Sequence, residues 1–133
     1  MLTYLSNIGL FFLYFISASV LTMAYVCIYT KVTPHDEWEL IKKNITAAAL
    51  AFSGSLLGFI IPLASLIVSA VNLIDLFLWG VVALLVQLLT FKAISHIMPC
   101  ISERLANNEM ASGIWLAAAS IGAGTITAAC LTY

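Results

Sequence analysis

The sequence has few charged residues. Among its 133 residues only 5 are Lys or Arg and 6 are Asp or Glu, which together make up 8% of the chain. A soluble domain averages about 25% charged residues, so this composition excludes an ordinary soluble domain. Hydrophobic residues make up 63% of the chain, and the mean hydropathy is +1.11. We therefore predict an all-α integral membrane protein in which residues 1–133 form a single membrane domain.

The scarcity of basic residues also limits the partners of the protein. Binding of nucleic acid requires a dense stripe of Lys and Arg side chains, which 5 basic residues cannot supply. We therefore predict no nucleic-acid partner. The first partner that the composition implies is the lipid bilayer.

Cysteine pairs and catalytic motifs are missing as well. The three cysteines, Cys27, Cys100 and Cys130, form no CxxC motif and have no zinc-ligand spacing, so they predict neither a disulfide framework nor a metal site. The sequence contains no GxSxG, HExxH, P-loop or dinucleotide-binding motif. We predict that the protein is not an enzyme and uses no cofactor. The nearest alternative, a lipid-modifying pair of His96 and Cys100, is interrupted by Pro99.

Long uncharged runs are abundant. A helix needs about 20 predominantly apolar residues to cross the hydrocarbon core of a bilayer. Four runs meet this requirement and predict transmembrane helices at about residues 8–29, 45–69, 76–97 and 111–131. Tyr25 and Tyr29 are predicted to lie at the water–lipid interface at the end of the first helix. Two polar loops, 31–44 and 98–110, connect the first helix to the second and the third to the fourth.

The positions of the basic residues predict the orientation in the membrane. All of them lie in or beside the two polar loops: Lys31, Lys42, Lys43, Lys92 and Arg104. Lys92, near the end of the third helix, is predicted to extend its ammonium group to the interface. Because cytoplasmic loops carry the excess of Lys and Arg, we expect both loops to be cytoplasmic and both termini to be periplasmic.

The chain also shows signs of an internal duplication. Pro34 and Pro99 each follow a predicted transmembrane helix, and NITAA at 44–48 is similar to NEMAS at 108–112, at nearly the same spacing. Each copy holds an even number of helices, so both copies have the same orientation. We therefore predict two tandem, parallel two-helix hairpins rather than an inverted repeat. The predicted hairpins span about residues 8–71 and 76–133.

The first polar loop holds more than half of the charged residues. Residues 33–34, Thr and Pro, are suited to the start of a helix. Trp38, Ile41 and Ile45 then fall on one apolar edge at helical spacing. This pattern predicts a short amphipathic helix on the inner membrane surface, with the Trp38 ring at the level of the lipid headgroups.

The polar side of this short helix is predicted to dock a soluble cytoplasmic partner. Glu39 can form an ion pair with Lys42 or Lys43 across one helical turn. A metal or acid–base site is the alternative. However, Asp36 and Glu37 are adjacent and point about 100° apart on a helix, and no second ligand motif occurs elsewhere. The predicted interfacial or partner surface comprises His35, Asp36, Glu37, Trp38, Glu39, Lys42 and Lys43.

Gln87 lies near the middle of the third predicted helix. A buried amide in a membrane needs hydrogen-bond partners. We weigh two roles for this side chain. It either joins helices through hydrogen bonds or lines a path for a solute.

Small residues recur on the second and fourth predicted helices. Gly and Ser permit close approach of helix backbones in membranes. We predict helix packing through these faces, either inside one chain or between the chains of a homo-oligomer. The residues are Ser53, Gly54, Ser55 and Gly58 on the second helix and Gly122 and Gly124 on the fourth.

Four stretches resemble those of a known protein family. They are TPHDEWELIKKN at 33–44, ITAAALAFSGSLLGFIIPL at 45–63, WGVVALLVQLLTF at 79–91 and MPCISERL at 98–105. From about Tyr29 to the C-terminus, the chain is similar to the YjfL-like bacterial inner-membrane proteins, which carry a duplicated two-helix domain of unknown function. The resemblance implies a bacterial inner (cytoplasmic) membrane location and four transmembrane helices. It implies no activity, but it suggests an envelope-associated system for stress or membrane remodelling.

Together these observations favour a non-enzymatic, multi-pass inner-membrane protein that forms a homo-oligomer and docks cytoplasmic partners. The alternative is a small oligomeric channel or transporter. The predicted transmembrane helices contain no carboxylate deep in the membrane, which argues against a proton-coupled exporter.

Overall fold

The computed structural model describes residues 2–32, 37–69 and 72–131. Within these ranges the chain forms six helices and no strand. The helices are α1 (Leu2–Val32), α2 (Glu37–Lys42), α3 (Thr46–Ser69), α4 (Leu73–Ile97), α5 (Ile101–Ala106) and α6 (Met110–Cys130). The helices α1, α3, α4 and α6 are long and apolar enough to cross a membrane. The predicted all-α membrane architecture with four transmembrane helices is therefore confirmed.

The helix ends differ most from the prediction at the starts of α1 and α4. Both α3 and α6 lie within one residue of their predicted bounds. In contrast, α4 begins at Leu73, because Asn72 Oδ1 accepts a hydrogen bond of 2.9 Å from the Asp75 backbone N–H and caps the helix. Asp75, which precedes the predicted third helix, therefore lies in the first turn of α4. Hydropathy locates the hydrocarbon core and not the ends of the helical backbone, which explains why α1 already begins at Leu2.

The helices α3 and α6 pack side by side and run in the same direction. Near their starts, Gly113 lies against the backbone of Ala47. Near their ends, the Ser65 hydroxyl donates to the carbonyl oxygen of Ala128 over 3.4 Å. Residues further along α3 therefore contact residues further along α6, which makes the two helices parallel.

The helices α1 and α4 also run parallel to each other. The Leu21 side chain lies against Gly80, and further along both helices the rings of Tyr29 and Phe91 meet edge to face with centroids 5.6 Å apart. Because α2 follows the end of α1 and α5 follows the end of α4, the two short helices lie at the same end of the bundle. We call this the loop end.

Aromatic side chains join α1 to α3. Tyr25 stacks on Phe59 with ring centroids 4.5 Å apart, and Tyr29 lies 5.9 Å from the earlier residue Phe52. The reversed order of these contacts makes the two helices antiparallel. Both tyrosines are only 1% exposed. Their rings therefore pack inside the bundle and not against lipid headgroups, whereas their predicted level at the interface stays a prediction.

The first half of α1 lies outside the packed bundle. Residues 2–13 are all exposed, and the first buried residue of this helix is Ser17. Phe11 and Phe15, one helical turn apart, stack with ring centroids 5.8 Å apart. In a bilayer this apolar segment would contact lipid or other membrane helices.

Residues aligned by the predicted duplication adopt similar backbone conformations. Asn44, shortly before α3, and Asn108, shortly before α6, have positive φ angles of 65° and 58°. Asn is among the few residues that tolerate this left-handed region. The parallel courses of α1 with α4 and of α3 with α6 fit two tandem hairpins in one orientation. The duplication itself stays a prediction.

Candidate functional site

Gln87 lies at the centre of the bundle and is 2% exposed. Its Nε2 donates hydrogen bonds to two backbone carbonyl oxygens, that of Gly58 at 3.0 Å and that of Ser120 at 3.1 Å. One side chain of α4 therefore connects both α3 and α6. Two roles were considered for Gln87, joining helices and lining a path for a solute. The observed geometry fits the first, because the side chain forms hydrogen bonds between helices.

The second polar atom of this amide has no partner among the described residues, since Gln87 Oε1 is buried without a hydrogen bond. The two carbonyl oxygens can only accept, so they fix the amide with its nitrogen towards them and its oxygen away. An unsatisfied buried acceptor costs about 1–3 kcal/mol. A hydrogen-bond donor from outside the chain that reached Gln87 Oε1 would therefore remove this cost.

Hydroxyl groups from three helices lie in the same region. The Tyr25 hydroxyl donates to the Ser55 carbonyl oxygen at 3.1 Å, and the Ser55 hydroxyl donates to the Tyr29 oxygen at 2.9 Å. The hydroxyl oxygens of Ser55 and Ser120 are 3.4 Å apart. We call Tyr25, Tyr29, Ser55, Gln87 and Ser120 the polar core.

The chemistry available to the polar core is that of amides and hydroxyls. Its five side chains include no carboxylate, amine, imidazole or thiol. Such groups can bind water or a neutral polar molecule through hydrogen bonds. They lack the general base that activates a hydroxyl nucleophile. The polar core therefore supports binding or helix association better than catalysis.

Three of the glycines predicted to pack helices lie where α3 meets α6. A Cβ added to Gly54 would overlap the Cα of Ala117. A Cβ on Gly58 would overlap the carbonyl oxygen of Ser120, and one on Gly124 would overlap that of Gly58. Only glycine allows these backbone contacts, as in close helix pairs of membrane proteins generally.

Two other predicted residues lie away from this contact. A Cβ on Gly122 would have no neighbour within 4 Å. Ser53 is exposed, whereas the adjacent Gly54 and Ser55 are buried. Inside one chain, therefore, neither Gly122 nor Ser53 packs α3 on α6. The part of the prediction that remains for these two residues is packing between the chains of a homo-oligomer.

At the loop end, the structure describes part of the predicted partner surface. Trp38 is 51% exposed, and its ring lies 5.4 Å from that of Phe52. Glu39 and Lys43 form an ion pair of 3.1 Å, with both side chains mostly exposed, and Lys42 is exposed as well. His35, Asp36 and the side chain of Glu37 lie outside the described residues.

The second loop makes a contact that the sequence reasoning missed. The side-chain oxygen of Asn108 accepts a hydrogen bond of 3.0 Å from the Ala47 backbone N–H, in the first turn of α3. Arg104 is held by Glu109 at 3.0 Å and by the carbonyl oxygen of Pro99 at 3.1 Å. The loop before α6 thus satisfies one of the free N–H groups at the start of α3. Ala47 lies in NITAA and Asn108 in NEMAS, so the similarity of these two stretches was the feature of the sequence that could have indicated this contact.

The described residues bring no three His, Cys, Asp or Glu side chains close enough to hold a metal ion. The three cysteines, Cys27, Cys100 and Cys130, are exposed and free. A metal site in the first polar loop was the alternative prediction. In the part of the chain that the structure describes, no such cluster of ligands supports it.

The family of the chain follows from comparison with known proteins. A family model described as "Domain of Unknown Function (DUF350)" matches residues 3–131. The chain belongs to the DUF350 family. It is 43% identical to "UPF0719 inner membrane protein YjfL" of Escherichia coli strain K12, over 97% of this chain and 98% of that protein, and equally to the protein of that name from Escherichia coli O157:H7. No solved structure matches the chain.

Membership of the DUF350 family confirms the resemblance to YjfL-like proteins. The inner-membrane designation of the relatives and the four apolar helices together fit a multi-pass inner-membrane protein. Neither the family description nor the names of the relatives includes an enzymatic activity.

Proposed function

We propose that this DUF350 protein is a non-enzymatic inner-membrane component that docks a soluble cytoplasmic protein at its loop end. The observation that carries this proposal is a set of exposed charges on two short helices at one end of the bundle. We call this set, which also includes an aromatic ring, the loop surface. It consists of Trp38, Glu39, Lys42, Lys43 and Glu103.

The loop surface is held in place by buried contacts. In α2, Trp38 contacts Phe52, and Ile41 packs against the core. In α5, Ile101 and Leu105 are buried, at 4% and 0% exposure. A surface fixed in this way loses less conformational entropy when a partner binds. Its mixture of positive and negative groups gives specificity for a partner of complementary pattern.

Assembly and cellular role are part of the same proposal. Small residues outside the contact of α3 with α6, Ser53 and Gly122, support contact with a second copy of the chain, because small residues permit close helix approach. The resemblance described above supports a role in an envelope-associated system for stress or membrane remodelling. Both termini are proposed to be periplasmic and the loop end cytoplasmic, since the basic residues lie there.

A charge-exchange variant tests the docking role. Glu39→Lys combined with Lys43→Glu reverses the charge pattern but keeps an ion pair across the same helical turn. We expect stoichiometric recovery of the cytoplasmic partner from native membranes to fall at least about tenfold, since misplaced charges cost more than about 1.4 kcal/mol.

Asp75→Asn provides the control. Asp75 lies in the first turn of α4, at the end of the bundle away from the loop surface, so this change should leave recovery of the partner unaltered. Binding of the purified partner to purified protein must show the same difference. Equal recovery with the charge-exchange variant and the wild type would exclude docking through α2.

The polar core supports a second candidate function, a small oligomeric channel or transporter for neutral polar molecules. Gln87 Oε1 is the observation that favours it, because this acceptor is buried without a partner among the described residues. Water and urea supply suitable donors. The tight packing of α3 on α6 leaves little room inside one chain, so a path would require several subunits or separation of these helices.

Stopped-flow measurement of water and urea entry into proteoliposomes tests the channel function. We expect permeability above that of empty liposomes, with loss of the increase in Gln87→Leu, because leucine cannot hydrogen-bond to the solute. Thr125→Val, an exposed change on α6, is the control and should retain the flux. Wild-type permeability equal to that of empty liposomes would exclude this function.

A further inference from the structure

One exposed face of α4 carries apolar residues along most of its length and basic residues near the end of the helix. Leu78, Leu85 and Leu89 are 64%, 53% and 65% exposed, and Lys92 and His96 are exposed as well. Their spacing of seven, four, three and four residues places them on one side of a helix with 3.6 residues per turn. We call these five residues the α4 stripe.

The dimensions of the α4 stripe match one leaflet of a bilayer. At 1.5 Å per residue, Leu78 and Leu89 are separated by about 17 Å along the helix axis. Half of a hydrocarbon core about 30 Å thick is about 15 Å. Lys92 and His96 lie one to two turns further towards the loop end. The stripe is therefore apolar over the depth of the acyl chains and basic at the depth of the headgroups.

The two basic side chains are placed to act together. Residues four apart are neighbours on a helix surface, so the Lys92 ammonium and the His96 imidazole can both donate hydrogen bonds to one group. The only acidic residue of α4 is Asp75, in its first turn at the far end of the helix. On α5, Arg104 is engaged by Glu109 and by the Pro99 carbonyl oxygen. The α4 stripe thus presents positive charge without a carboxylate from its own helix nearby.

We propose that the α4 stripe binds one anionic phospholipid from the leaflet at the loop end. The phosphodiester accepts hydrogen bonds from Lys92 and His96, and an acyl chain lies along Leu78, Leu85 and Leu89. An anionic lipid fits better than a zwitterionic one, because a choline or ethanolamine headgroup would bring a second cation close to Lys92. Lys31, at the end of the parallel helix α1, lies at nearly the same level and adds to the positive potential there.

Native mass spectrometry of the purified full-length protein in a neutral detergent tests this site. The probes are phosphatidylglycerol and phosphatidylcholine with identical acyl chains. We expect tighter binding of phosphatidylglycerol, and we expect Lys92→Gln to weaken it about fivefold. This factor corresponds to the roughly 1 kcal/mol that a basic residue contributes near an anionic surface. His96→Gln should weaken binding further when combined with Lys92→Gln.

Lys42→Gln is the matched control, because it removes the same charge from an exposed residue of α2. It should leave phosphatidylglycerol affinity unchanged. Glycerophosphoglycerol is the headgroup without acyl chains. It should bind neither the wild type nor the variants measurably, since the apolar half of the site is then unused. Helix content by circular dichroism checks that each variant is folded.

Three results would overturn the proposal. Equal weakening by Lys92→Gln and Lys42→Gln would mean that only the net charge attracts the lipid. Equal binding of both phospholipids by the wild type would mean that the headgroup is not recognised. Binding of glycerophosphoglycerol as tight as that of the lipid would make the site one for free phosphodiesters. The assay contains no cytoplasmic partner, so its outcome is independent of the docking role.

Discussion

Replacing Gly124 with Ala is expected to lower the free energy of unfolding by about 1–3 kcal/mol, whereas replacing Gly122 with Ala should raise it by about 0.5–1 kcal/mol, because Ala has the higher helix propensity. A Cβ at Gly124 would overlap the carbonyl oxygen of Gly58 and lie 2.7 Å from the Gly58 Cα. These are backbone atoms, which no change of side-chain rotamer can move away. The helices α3 and α6 would have to separate, and the hydrogen bonds of Gln87 to both of them would lengthen.

The two alanine variants form a matched pair on one helix. A Cβ at Gly122 meets nothing within 4 Å, and both changes have the same intrinsic effect on helix propensity. The difference between them therefore isolates the contact with α3. Unfolding in mixed micelles, followed by circular dichroism, measures the difference. Equal stability of the two variants would contradict the backbone contact at Gly124.

Replacing Gln87 with Glu is expected to destabilise the protein by about 3 kcal/mol, more than replacing it with Leu. A carboxylate at this position would place a negative oxygen against the carbonyl oxygens of Gly58 and Ser120, where Nε2 now donates. A charged group in the middle of a transmembrane helix costs about 2.5–3.5 kcal/mol. Gln87→Leu removes both hydrogen bonds but also the unpartnered Oε1, so we expect a loss of only about 0.6–2 kcal/mol.

The same unfolding assay ranks the two Gln87 variants. The expected order is wild type, Gln87→Leu and Gln87→Glu, from most to least stable. Glu has nearly the same shape as Gln, so steric strain contributes little to the low stability expected of Gln87→Glu. A Gln87→Glu protein as stable as the wild type would contradict the orientation of the amide, because the acid cannot donate to both carbonyl oxygens.

The sequence was sufficient to predict the four transmembrane helices, because each requires only a long apolar run. Local capping was harder to foresee. The start of α4 depends on one hydrogen bond, from the Asp75 N–H to Asn72 Oδ1, which hydropathy does not detect. The glycines on α3 and α6 were recognisable as small residues. Their spacing alone could not distinguish Gly124, which contacts Gly58, from Gly122, which faces away.

The polar core and the link between the loops were less predictable. Tyr25 and Tyr29 lie near the end of an apolar run, where aromatic residues commonly occupy the membrane interface. Their burial depends on Phe59, Phe52 and the Ser55 hydroxyl, which belong to another helix. Contacts between distant parts of the chain leave no mark in the local periodicity on which the predictions were based. The bond between Asn108 and Ala47 is missed for the same reason.

The directions of the long helices also arrange partial charges at the loop end. Each helix carries about half a positive charge at its start and half a negative charge at its end. Two neighbouring helices, α3 and α6, begin there, and the other parallel pair, α1 and α4, ends there. Lys31 and His96 lie in the last turns of α1 and α4, and Glu109 precedes α6, so each opposes the pole beside it. These side chains offset the poles locally, so the field at the loop end is set mainly by the exposed charges of the loop surface.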